Sequence, residues 1–127
     1  MRLPTLVVAL VLLSGAAAAS AAEVEPIEGA YKGKTAQGLP VYFGVEEGAV
    51  VNVRYTVRWG YCGKFRRHNR RAINPIDPSG HFSLAEPQSS IEGTFVEPGL
   101  VEGTAIFLEH PLAGCPHKEV PFTARLR

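Results

Sequence analysis

The chain has 127 residues, with 13 Lys and Arg against 12 Asp and Glu, a formal charge of +1 and only two cysteines. That length leaves room for one modest core and excludes two domains of ordinary size. Since Arg2 is one of the cations, the remainder is balanced, so any electrostatic character has to come from how the charges are distributed.

Met1-Arg2 is followed by an apolar run from Leu3 to Leu13 and then by Gly15-Ala16-Ala17-Ala18-Ala19-Ser20-Ala21-Ala22. A charged start, a short apolar core and small residues at alternate positions before a cut are the features of a cleaved export signal. Ala19-Ser20-Ala21 and Ser20-Ala21-Ala22 offer two registers for the cut. The run is shorter than the roughly 20 residues needed to span a bilayer, and no cysteine follows it to carry a lipid. Residues 1–22 are therefore expected to be a signal peptide and residues 23–127 a single secreted domain, extracytoplasmic and soluble, with no membrane span.

In the exported part the clearest element runs from Val51 to Trp59. Val51, Val53, Tyr55, Val57 and Trp59 alternate with Asn52, Arg54, Thr56 and Arg58, which predicts a half-buried strand with the first set facing inward. The same alternation predicts strands around Val41, Phe43 and Val45; Phe82 and Leu84; Ile91 and Phe95; and Val120, Phe122, Ala124 and Leu126. Leu100 to Leu108 has apolar residues in both phases, as expected of a strand covered on both faces. Gln37-Gly38, Glu46-Glu47-Gly48, Asp77-Pro78-Ser79-Gly80 and Glu97-Pro98-Gly99 supply turn residues between them. Glycine recurs two residues before an aromatic, at Gly29 and Tyr31, Gly80 and Phe82, and Gly93 and Phe95, a way of starting strands where a bulge or close backbone approach is needed. About seven or eight strands at this spacing predict an all-β fold, an antiparallel β-sandwich or a small barrel.

Cys62 and Cys115 both lie in the exported part, where an oxidising compartment favours a disulfide between them. Trp59, bracketed with Tyr55, Tyr61 and Phe65 around Cys62, is expected to be a core residue packed near that bridge rather than part of an exposed sugar-binding platform.

Charge is blocked along the chain. No acidic residue lies between Glu47 and Asp77, a stretch holding Arg54, Arg58, Lys64, Arg66, Arg67, Arg70 and Arg71. From Asp77 to Glu119 the bias reverses, with only Lys118 among seven carboxylates. Lys64-Phe65-Arg66-Arg67-His68-Asn69-Arg70-Arg71 puts five cations in eight residues without apolar alternation, which predicts an exposed loop or edge strand. Arginine forks there suit phosphate, sulphate or carboxylate groups, and Arg54 and Arg58 would extend the patch if the segment folds back on the preceding strand. The competing interpretation is a solvated segment paired with acidic strands, or a charged edge that prevents sheet association. No nucleic-acid motif accompanies the charge, so specific nucleic-acid binding is not expected.

Other chemistry finds no pattern. His110, Cys115 and His117 share a loop, but a structural zinc needs about four ligands and would forfeit the disulfide, so neither metal nor cofactor is expected. No serine lies in Gly-x-Ser-x-Gly, and no pair of the glutamates is marked as sharing a pocket, so no catalytic residue is assigned.

The ordered series Gly29-x-Tyr31-x-Gly33-x-Thr35, Gln37-Gly38-x-Pro40-Val41-x-Phe43-x-Val45, Cys62, Gly80-x-Phe82, Ile91-x-Gly93-x-Phe95, Val101-x-Gly103, Cys115 and Phe122-Thr123-Ala124-Arg125 resembles a loose family of small bacterial secreted two-cysteine β-rich proteins of unknown function. The resemblance covers nearly the whole exported part. It implies export and a β scaffold, and it transfers no catalytic or ligand residue. The expected function is a non-enzymatic extracytoplasmic binding or interaction module whose basic segment meets an anionic envelope polymer or a protein. An envelope hydrolase with residues assembled only in three dimensions, and a secreted inhibitor or structural envelope protein, are the alternatives.

Overall fold

Alternating segments become strands wherever a turn lets the chain reverse. In the computed structural model, which describes residues 24–127, these are β1 (Gly29–Thr35), β2 (Pro40–Glu46), β3 (Ala49–Arg58), β4 (Lys64–Pro75), β5 (His81–Glu86), β6 (Ser89–Glu97), β7 (Leu100–Phe107) and β8 (Lys118–Leu126). The expected signal peptide lies outside the described residues. Among the described residues no helix is long and apolar enough to cross a membrane.

All eight strands form one antiparallel sheet in the order β4-β3-β2-β1-β8-β7-β6-β5. Pairing of the first strand with the last, from Tyr31 opposite Leu126 to Thr35 opposite Phe122, curls the sheet into a nearly closed barrel. Of the two architectures expected from the strand spacing, the barrel is the one formed. A single seam is left between β4 and β5, which are consecutive in sequence but form the two edges. The β1–β2, β3–β4, β5–β6 and β7–β8 connections thus gather at one end of the barrel, and the remaining turns with the chain termini gather at the other.

Inward-facing side chains fill the lumen. Near the terminal end Tyr31 stacks on Phe43 at 5.2 Å and meets Phe95 edge-on at 5.6 Å. The Tyr31 hydroxyl donates to the carbonyls of Ile27 and Pro98, 2.7 and 3.0 Å away, pinning the entering chain across that end. Toward the other end Trp59 lies 5.1 Å from Phe107 and 5.3 Å from Phe65. Closure at this radius needs glycine facing the interior. A Cβ on Gly33 would stand 1.8 Å from the Thr123 carbonyl oxygen, and one on Gly103 would stand 2.1 Å from that of Glu92, so neighbouring strands come closer than any side chain permits. Glycine therefore serves strand interiors as well as strand starts.

Two expectations need correction. Val51 does not share the inner face with Val53, Tyr55 and Val57. Asn52 adopts a left-handed conformation with φ of 51° and the register shifts there, so Val50 is the buried residue and Val51 turns outward. Leu100–Phe107 has a well-defined inner face of Val101, Ala105 and Phe107, while on the outer phase Leu100 is covered and Glu102 is exposed.

The expected disulfide is present. Cys62 and Cys115, with Cα atoms 5.8 Å apart, join the β3–β4 connection to the β7–β8 connection across the barrel end. Each connection carries one turn of 3-10 helix, Gly60–Cys62 and Pro111–Ala113. The Trp59 indole N–H donates to the Pro116 carbonyl beneath the bridge, so Trp59 is the core residue its alternation predicts.

Candidate anion-binding groove

The polybasic segment is an edge strand rather than a loop. Its register against β3 places Lys64 opposite Arg58, Arg66 opposite Thr56 and His68 opposite Arg54. Residues directly opposite in an antiparallel pair lie on the same face. Arg54, Arg58, Lys64 and Arg66 therefore share the outer surface of β3 and β4. Arg70 and Arg71 lie in a bulge where the Asn69 side-chain oxygen accepts the backbone N–H groups of Arg71 and Ala72 at 3.0 and 2.9 Å. Both arginines are exposed there.

Arg67 does not join them. Opposite the inward-facing Tyr55, it turns toward the seam, with its guanidinium 5.9 Å from the Phe107 ring centre and a terminal N–H directed to the Pro87 carbonyl at 3.4 Å. Its Nε is buried without a partner.

The outer surface of β2, β3 and β4 carries an open hollow of about 640 Å³, lined by Leu39, Pro40, Tyr42, Arg54, Thr56, Lys64 and Arg66. The Arg54 guanidinium lies 4.6 Å from the Tyr42 ring centre and that of Arg127 lies 5.6 Å from it, an arrangement in which the ring orients cations while leaving their N–H groups available. Among the described residues the only basic and acidic side chains within ion-pair distance are His117 and Glu119, in the loop before β8 and on β8, at 2.7 Å. Among the described residues no carboxylate pairs directly with the groove cations. The expectation that the basic segment is paired off by the acidic strands finds no such contact.

His68 reports the field of this face. Its imidazole is held below its usual range, first by loss of hydration and then by the positive charges of Arg70 and Arg54. Its Nε2 lies 2.8 Å from the Asn52 side-chain oxygen, so the residue that creates the β3 bulge also anchors the histidine.

A second polar cluster lies at the seam, in side chains that spacing alone did not single out. The Tyr55 hydroxyl donates to Glu86 Oε1 at 2.9 Å and lies 3.1 Å from Ser89 Oγ, while the Asn69 amide donates to Glu86 Oε2 at 3.3 Å. Burial pushes the Tyr55 phenol well above its usual range, with the Glu86 charge adding to that and the Ser89 hydrogen bond opposing it. These contacts substitute for the missing backbone ladder between β4 and β5. Tyr55 is a core residue as expected, and Glu86, one of the glutamates that no spacing marks, is a seam residue.

The histidine side chains of 68, 81 and 117 meet Asn52, Thr94 and Glu119 respectively. None of these partners is a serine, and Cys115 is committed to the disulfide. Compared with family models, with curated proteins and with solved structures, the chain matches none.

Proposed function

We propose that residues 23–127 form an exported, non-enzymatic binding module and that the groove on β2, β3 and β4 is its contact surface for an anionic polymer of the cell envelope. The observation that carries this reading is the convergence of Arg54, Lys64 and Arg66, without carboxylate partners, on a hollow walled by Tyr42. Arginine forks and a lysine ammonium along a concave strip contact successive anionic groups, and the aromatic and proline surfaces accept the apolar faces of sugar rings between them. An enzyme would need its reactive groups collected in a water-excluding cleft. The groove instead is open and lined by cations.

The test is binding of the oxidised protein to soluble phosphate-, sulphate- and carboxylate-bearing polymers at low and high salt. Binding that weakens with salt and is lost in Arg54→Gln/Lys64→Gln/Arg66→Gln, with thermal unfolding unchanged, is expected. Equal binding by the folded triple variant overturns the reading.

A further inference from the structure

The disulfide end carries a second surface, which shares only Lys64 with the groove. Tyr61 is 95% exposed and Leu112 is 96% exposed, the two most exposed large apolar side chains among the described residues. They stand on the two short helical turns that the disulfide ties together. Cys62 follows Tyr61 directly, and its Sγ lies 3.9 Å from the carbonyl oxygen of Ala113, the residue after Leu112. Leu108, about half exposed, begins the same β7–β8 connection. Apolar groups held this far out on stapled turns, with Trp59 and Phe107 packed beneath them, are convex tips that no neighbouring strand covers.

Charge is arranged along the barrel axis around these tips. Lys34, Arg58, Lys64 and Lys118 stand at the strand ends beside them, four cations against the three carboxylates of Glu86, Glu109 and Glu119 at the same end. The opposite end gathers Glu28, Glu46, Glu47, Asp77 and Glu97 from the entering chain and the three turns there, against Arg125 and Arg127 at the end of β8. A barrel with this polarity approaching an anionic surface presents the disulfide end first.

We propose that the disulfide-stapled end is a peripheral docking tip for an anionic lipid bilayer. Tyr61 and Leu112 enter the headgroup region and the surrounding cations meet the lipid phosphates. A tyrosine ring suits that depth because its body is apolar and its hydroxyl stays hydrated. Two side chains give only shallow, reversible insertion, and each nearby cation adds attraction at an anionic surface, so apolar and ionic contacts are both needed. A groove-shaped partner site on a protein would require a concave apolar surface, whereas these tips project.

Oxidised protein without residues 1–22, which retains every strand of the sheet, is floated with vesicles of phosphatidylcholine containing phosphatidylglycerol and with vesicles of phosphatidylcholine alone. Flotation with the anionic vesicles, weakening with salt, is expected. Tyr61→Ser/Leu112→Ser should reduce that affinity about tenfold or more, in line with removing one or two buried apolar side chains, while leaving thermal unfolding and soluble-polymer binding unchanged. Failure of the unaltered protein to float, as when the tips serve a protein partner instead, overturns the proposal, as does flotation of the double variant equal to that of the unaltered protein. Either failure leaves the groove reading standing, because that reading is tested on soluble polymers.

Discussion

Replacing both Cys62 and Cys115 by alanine removes a link between residues 53 positions apart. Chain-entropy reasoning gives a loss of about 14 cal/mol/K in the restraint on the unfolded chain, or about 4 kcal/mol near room temperature. Set against a typical domain stability of about 5–15 kcal/mol, that is the largest stabilising change assigned to one covalent feature of this chain. The bridge closes the barrel end where Trp59 donates to Pro116, and Cys115 is buried, so truncation there removes only a little apolar contact in addition. Urea unfolding followed by the fluorescence of the single tryptophan is the assay. With a dependence of about 1–3 kcal/mol per molar urea, the midpoint should fall by about 1.3–4 M. A change below about 1 kcal/mol would refute the reasoning, showing that the β3–β4 and β7–β8 connections stay together in the unfolded chain without the bond or that the bridge strains the native one.

Tyr55→Phe removes the hydroxyl shared by Glu86 and Ser89 at the seam, and should cost about 1–2 kcal/mol in the same assay because the buried Ser89 hydroxyl loses its partner; unchanged stability would show that the seam cluster does not hold β4 and β5 together. Asp77 Oδ1 accepts hydrogen bonds from the Ser79 backbone and hydroxyl and from the His81 backbone, which hold its carboxyl below the usual carboxylate range. Its folded pKa is the lower one, so its contribution is fully present above the unfolded value and is lost as pH falls through the folded value. The stability gap between the unaltered protein and Asp77→Ala should therefore narrow below about pH 4, and a gap that widens with acid would contradict this. His68 is depressed partly by Arg70 and Arg54, so a polyanion seated in the groove should raise its pKa in an NMR titration; no shift at saturation would place the ligand elsewhere.

The inner faces were legible where apolar residues alternate without interruption, as in Val41, Phe43 and Val45 or Val53, Tyr55 and Val57. The bulge at Asn52 was not, because a single left-handed residue reverses the phase upstream of it while leaving the pattern of letters intact. β4 gave no alternation because its inward residues Phe65, Arg67 and Asn69 face a seam rather than a closed lumen, and polar side chains are tolerated there. Sequence does not separate Arg67 from the surface cations for the same reason, since charge alone does not distinguish the two faces of an edge strand. The cationic half of the groove could be read from composition, whereas its Tyr42, Pro40 and Thr56 walls come from neighbouring strands and required the strand order. Tyr42 left one signal: it is an aromatic on the outward phase of a strand whose inward phase is complete without it. Glu86 left none, since only the meeting of the two sheet edges distinguishes it from other carboxylates.

The most direct test of the groove is to map backbone amide shifts while the oxidised protein is titrated with the polyanion that binds best. Shifts centred on Tyr42, Arg54, Thr56, Lys64 and Arg66, absent from β6 and β7, are expected. Saturable shifts centred on any other face, with these residues unmoved, would contradict the assignment of the groove as the contact surface.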